Sequence, residues 1–444
     1  MAPAECQLRL GTWRLFFVLA MLFAGLACLA GGCTQPAEEA PEVAKQALRL
    51  VMWKPNQPEV WEQVFARFAE AHPEIELRRE IGPHSSTAFH DLLTQKLKNQ
   101  SRDVDVFLMD VIWPPEFGSA GWALPLDDFL PQVERDRFLP GTILANTYQD
   151  HLYGVPLYVG SGVLYYRKDL LEKYRLAPPQ TWEEMVSQAS TVVAGERAEG
   201  RDLHGFSGQF KQYEGLVCDM LEFILSNGGA VLDPQTGEPL ITREPAVEAV
   251  RFVRDSIIGA AAPRGVLTYQ EPESLDLFVQ GKAVFHRNWP YAWEVANNPE
   301  KSSVAGAVGI ATLPHFPGHR SYSTLGGWQV GISAYSRNRD AAWTFVEFLT
   351  SAPIQKLLAV EAGLAPTRRD LYRDPEVLAA NPQFAALEEV FLSAYPRPRT
   401  PLYPAVSNIL QRYFSAAISD PASDIARQAE AAAREIRALL DMAR

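Results

Sequence analysis

Asp110 closes the apolar run VDVFLMD (residues 104–110) and precedes Val111-Ile112-Trp113-Pro114. A run of that kind reads as a buried strand, so Asp110 stands at a strand's C-terminal edge. A carboxylate there can accept two hydroxyl hydrogen bonds from a sugar, each worth about 1.5–3 kcal/mol net. The same position also suits a helix N-cap. Trp289, in RNWPYAW, and Trp328, in LGGWQVG, carry indole faces that can cover the apolar face of a pyranose. Gly326 and Gly327 precede Trp328, and bare backbone there lets a ligand approach the amides. Taken alone, either Trp reads first as a core residue, and Trp53, Trp113 and Trp343 are assigned to the core.

Catalytic arrangements are harder to build. Asp110 with Glu116, or Glu183 with Glu184, has the composition of a glycosidase pair. Adjacent helical glutamates diverge, however, and Pro114-Pro115 leaves the first pair's geometry open. The chain has no Gly-x-Ser-x-Gly, His-Glu-x-x-His or Walker loop. His84 and His90 frame Ser85-Ser86-Thr87, a hydroxyl-rich loop better suited to lining a cleft than to a triad. No Cys/His spacing of metal-site type surrounds Cys218, which reads as a small buried apolar residue. No enzyme activity, cofactor or metal is expected.

Residues 9–33 read RLGTWRLFFVLAMLFAGLACLAGGC, a basic start, an apolar run, small residues and then Cys33. This is the layout of a secretory signal. A cysteine after Ala30-Gly31-Gly32 resembles a bacterial lipobox, which implies that Cys33 is acylated and becomes the first mature residue. Its acyl chains would hold the protein on a membrane at about 0.8 kcal/mol per buried CH₂. Cys28 is the weaker acylation candidate, and an uncleaved membrane span is the alternative to processing. Of four cysteines, only Cys33 and Cys218 lie beyond the signal, so no internal disulfide is expected. The 444 residues exceed the usual single domain, and the net charge of −12 argues against a nucleic-acid partner.

Past a polar, Pro-bearing tether (33–47), strand and helix patterns alternate. LRLVMW (48–53) reads as a strand, 58–71 as a helix opened by Pro58, 75–81 as a strand, 88–98 as a helix and 104–110 as a strand. That order implies a parallel sheet with right-handed crossovers. Helices follow at 168–174, 181–194, 212–227 and 244–257. VGIATLP after Ala307 reads as a strand returning to a sheet, and 340–350, 353–361, 405–418 and 421–443 read as helices.

Several segments together resemble one family. They are VDVFLMDVIWPPEFGSAGWALPLDDF (104–129), YGVPLYVGSGVLYYRKDLLEKY (153–174), FVQGKAVFHRNWPYAW (278–293), GIATLP (309–314), TLGGWQVGIS (324–333) and PRPRTPLYPAVS (396–407). In this order they resemble the extracellular solute-binding proteins of bacterial ABC sugar importers, in particular the trehalose/maltose-binding branch. The resemblance implies an α/β fold of the periplasmic-binding-protein type, with two lobes, a hinge and a ligand cleft between the lobes. It places chain crossovers near 155–160, 305–310 and 350–360. The expected N-lobe is then 48–157 with 309–350, and the C-lobe 158–308 with 351–444, following a signal at 1–32. Asp110 aligns with a sugar-contact aspartate of the family. Arg397 matches an arginine that donates to sugar hydroxyls, with Arg399 as the alternative. Tyr158, near the first crossover, offers a ring and a hydroxyl.

Two departures stand out. The branch commonly places an aspartate after Tyr158-Val159, where this chain has Gly160. Near the first strand it places an acidic residue, where this chain has Lys54-Pro55-Asn56-Gln57, so that Asn56 or Gln57 would offer a neutral amide. The expected protein is a lipid-anchored monomer that captures a saccharide, with a disaccharide such as trehalose or maltose foremost, and delivers it to an ABC permease. The alternatives are a binding protein for a glycerophosphodiester or other anionic solute, suggested by Lys54, Arg397 and Arg399, and a secreted glycosidase.

Overall fold

The computed structural model describes residues 45–233 and 236–442; the signal, Cys33 and the tether up to Ala44 lie outside the described residues. The first described element is strand β1 (Gln46–Met52), which pairs in parallel with β2 (Ile75–Ile81) and β3 (Val106–Asp110). The intervening helices are Pro58–Ala71 and Ser86–Lys98. Pro58 opens the first because its missing N–H would have had no partner there. Val60, Val64, Phe65 and Phe68 form that helix's buried stripe. Ser85 caps the second helix by accepting from the Ala88 amide.

After a short hairpin, β4 (Thr147–Tyr148) and β5 (His151–Leu152), the chain runs into β6 (Val155–Ser161) and then, across Gly162 alone, into β7 (Val163–Arg167). These two strands belong to different sheets. The first sheet has the order β12-β6-β11-β3-β1-β2, with β11 at Leu325–Ile332 and β12 at Ala365–Pro366. The second has the order β10-β7-β9-β8, with β8 at His204–Ser207, β9 at Ala283–Asn288 and β10 at Val308–Ala311. The chain is therefore α/β with two lobes, each built on its own sheet. Helices Trp182–Ala198, Glu214–Leu225, Glu244–Phe252, Tyr403–Ser419 and Ile425–Asp441 supply most of the second lobe's core.

The lobe boundaries differ from expectation at two points. The strand at 308–311 pairs antiparallel with β7, so it stays in the second sheet, and the return to the first comes at β11. Helix Ala352–Ala362 does not cross to the C-lobe. Its buried Ile354, Leu357 and Leu358 pack in the first core beside helix Pro58–Ala71, and β12 then pairs with β6. The crossovers are Ser161-Gly162, Ser323-Thr324 and Tyr395–Arg397, side by side. Thr324 bridges Tyr395, the Leu325 amide donates to the Tyr395 carbonyl at 2.9 Å, and Ser323 Oγ donates to the Gly162 carbonyl at 2.7 Å. Gly162 admits no side chain, because a Cβ would stand 2.0 Å from Glu222 Oε1.

Candidate functional site

Strand register assembles the centre of the site. In the first sheet Trp328 stands opposite Asp110 on β3 and opposite Tyr158 on β6, so three candidates from distant segments form one row. Gly327, directly before Trp328, has φ +133°, and a Cβ there would meet the Tyr158 carbonyl oxygen at 2.5 Å. Only glycine lets β11 approach β6 this closely. Gly326 serves a different purpose from the one expected. A Cβ at Gly326 would lie 2.9 Å from Trp289 Cζ3, so the bare backbone makes room for an indole of the second lobe rather than for a ligand. Gly160 borders the same ring, with 3.5 Å between a Cβ and Trp289 Cε3.

These residues line a cavity of about 920 Å³, counting the solvent space inside its mouth. All eight sequence candidates line it: Asn56, Asp110, Tyr158, Trp289, Gly326, Gly327, Trp328 and Arg397. Asn56 is exposed, whereas its neighbour Gln57 is buried and donates to Glu294 at 3.1 Å and to the Ala362 carbonyl at 3.3 Å. Trp289 is fixed from behind. Its indole Nε1 donates to Glu271 Oε1 at 3.2 Å, its carbonyl accepts from Tyr165 Oη at 2.9 Å, and the Arg287 guanidinium stacks 4.1 Å from the ring centre. Arg287 is itself buried and forked by Glu222, at 2.8 and 2.6 Å. Trp328 touches Trp53 at 5.0 Å between ring centres and Phe89 at 5.8 Å, so it belongs to core and cavity at once. Trp53, assigned to the core from sequence, likewise lines the cavity, while Trp113 is core.

Arg397 is the cavity's charged hub. Its Nη2 donates to Asp110 Oδ1 at 2.8 Å and to the Leu325 carbonyl at 3.3 Å, and its Nη1 donates to Glu214 Oε1 at 2.8 Å. Nε is buried without a protein partner. Burial pushes the Asp110 carboxyl above the ordinary aspartate value; Arg397 opposes that shift and Glu214 adds to it. Burial works against the Arg397 charge, but Asp110 foremost outweighs it, so Arg397 stays protonated. Arg399 points elsewhere, donating to the Thr147 carbonyl at 3.0 Å, and Lys54 is exposed and does not line the cavity.

The suggested catalytic pairs are not assembled at the cavity. Glu116 pairs with His90 at 2.5 Å, and Glu184 closes the capping box of helix Trp182–Ala198. Among the described residues no group of three or more His, Cys, Asp or Glu side chains could hold a metal ion.

The family described as bacterial extracellular solute-binding protein matches residues 54–356, which is most of the chain. This chain belongs to that family. A probable ABC transporter-binding protein of Deinococcus radiodurans is 41% identical over 72% of this solute-binding protein and 75% of its own length. The solved structure of maltose-bound MalE3 from T. maritima is 39% identical, covers 88% of this chain and 99% of its own, and superposes with a TM-score of 0.84. A maltotriose-binding protein of Pyrococcus abyssi is 23% identical over 84% of this chain and 78% of its own length.

Among the residues of this solute-binding protein's cavity wall that sequence reasoning missed are Trp53, Tyr213, Glu214 and Glu271. Trp53 follows the first strand directly, which is the same strand-end signal that singled out Asp110. Glu214 and Glu271 open helices in the second lobe and carry no motif; only the packing of the lobes shows that they face the cavity.

Proposed function

We propose that this protein is the substrate-binding component of an ABC importer and captures a neutral glucoside disaccharide of the maltose or trehalose kind. The observation that carries this reading is the cavity's charge and surface. Among the described lining residues, three indoles besides Trp61 meet three carboxylates, Asp110, Glu214 and Glu271, and a single guanidinium that two of those carboxylates already engage. Indole faces suit the apolar faces of pyranoses, and carboxylates suit hydroxyl donors. A phosphodiester would bring an anion into a wall of net negative charge with no unengaged lysine or arginine to receive it. Glu271 stands beside Trp289 where Gly160 lacks the carboxylate of the trehalose/maltose branch, and it supplies an acceptor from the second lobe. The maltose held by the T. maritima relative agrees with this choice. In the same reading the protein acts as a monomer, is exported, is anchored through acylated Cys33 and hands its ligand to permease subunits.

A thermal-shift panel of maltose, trehalose, sucrose, maltodextrins and glycerophosphodiesters tests the ligand. A true ligand at 100 times its Kd adds about 2.7 kcal/mol. At least one disaccharide is expected to raise the Tm and the phosphodiesters to leave it unmoved; a response to the phosphodiesters alone overturns the reading.

A further inference from the structure

Glu214 is the first residue of helix Glu214–Leu225 and belongs to the second lobe. Its carboxylate is held there by two groups of helix Tyr403–Ser419, Tyr403 Oη at 2.8 Å and Ser407 Oγ. Arg397 stands in the third crossover and is anchored on the first-lobe side. It bonds Asp110 on β3 and the Leu325 carbonyl on β11, both in the first sheet, and its segment pairs with Thr324. The 2.8 Å bond from Arg397 Nη1 to Glu214 Oε1 therefore spans the lobes, and it is more deeply buried than the Lys301–Glu59 and His84–Glu271 pairs, which also cross between them. Beside it, the Glu214 amide donates across the cleft to Thr87 Oγ1 at 3.2 Å. Both side chains of the ion pair are almost fully buried, at 2% and 8% exposure.

We infer that Glu214 is a positioning residue that latches the lobes: its charge holds Arg397 across the hinge and biases the protein towards closure before any ligand arrives. The physical case is one of asymmetry. When the lobes part, Arg397 keeps Asp110 and Leu325, while Glu214 keeps Tyr403 and Ser407, so at this point of the cleft the contact exchanged for water is the ion pair. Opposite charges attract most strongly where water is excluded, so the pair favours the closed form by the margin of that attraction over the hydration each charge regains on opening. Closure also sets the arrangement in which Asp110, Trp328 and Trp289 face a single ligand. A ligand that binds only the closed form gains affinity in proportion to the closed fraction. The latch rests on the geometry of the hinge and not on which solute fills the cleft.

The test is the distance between the lobes in the absence of ligand. Nitroxide labels on Arg102→Cys in the first lobe and Glu248→Cys in the second report it by pulsed electron resonance on the mature protein. Glu214→Gln keeps the size and an acceptor for Tyr403 but removes the charge, and is expected to shift the ligand-free distribution towards the open form. Tyr403→Phe removes a bond to Glu214 within the second lobe; it is expected to lower the Tm and leave the distribution unmoved, which a merely structural role for Glu214 would not distinguish. Arg397→Gln removes the cation from the same pair and is expected to open the ligand-free protein as well, which covers the case of a Glu214 variant that does not fold. With maltose as probe, Glu214→Gln is expected to raise the Kd by about tenfold, or 1.4 kcal/mol. A folded Glu214→Gln or Arg397→Gln protein whose ligand-free distances match the parent overturns the latch. Because that readout needs no ligand, its failure is distinct from a failure of the sugar assignment.

Discussion

Two tryptophans that look alike in sequence have different duties. Trp328 is 9% exposed and sits among Trp53, Phe89 and Trp113, so it supports the first core as well as the cavity. Trp289 is half-buried and is held by Glu271 and Arg287 at the cavity wall. Trp328→Ala is therefore expected to cost about 3–5 kcal/mol of folding stability, the range for truncating a buried aromatic. Trp289→Ala should cost less than half of that and still abolish ligand-induced stabilisation. Urea unfolding with and without ligand separates the two effects, and equal stability losses in both variants would contradict this division of labour. The glycines follow a similar logic. The dipeptide Gly326-Gly327 was legible as bare backbone near a site, but what fills the space is the Trp289 ring over one glycine and the β6 carbonyl behind the other.

Among elements, the second lobe carries an ion cluster that ties helix Lys168–Lys173 to the end of helix Trp182–Ala198. Glu196 is buried and accepts from Lys173 at 2.7 Å, from Tyr174 at 3.0 Å and from Arg201. The bond from Arg201 leads the effects that hold its carboxyl at about 2, below the ordinary glutamate value. A carboxyl depressed in the fold stabilises the protein above its unfolded pKa, and that contribution fades as pH falls towards the folded one. Glu196→Gln is expected to be less stable than the parent at neutral pH, with the difference shrinking between about pH 4.5 and pH 2. Denaturant midpoints across that window check it; a difference independent of pH would mean that packing, not charge, gives Glu196 its value. The elements themselves were readable from local pattern. Helix 58–71 agrees end for end, because Pro58 opens it and His72-Pro73 follows it. The destination of VGIATLP was not readable, since a strand of four residues has the same pattern in either sheet and only its partner β7 decides.

For the whole molecule, the proposed membrane anchor decides where binding serves a cell. Replacing Cys33→Ser is expected to remove labelling by a radioactive fatty acid and either to release the protein from membranes or to leave an unprocessed precursor. Undiminished labelling would move the acylated residue to Cys28. The alternating strand and helix patterns and the ordered motifs of the sequence determined the class of fold and eight of the residues that line one cavity, because a strand end, a glycine pair and an indole are local signals. What the tertiary structure alone decided is non-local. Register across β3, β11 and β6 set Asp110, Trp328 and Tyr158 in one row. The crossover at Tyr395–Arg397, some forty residues later than expected, brought Arg397 between Asp110 and Glu214. Such contacts join residues nearly two to three hundred positions apart, and a charge has no periodicity along the chain that names its partner across a hinge.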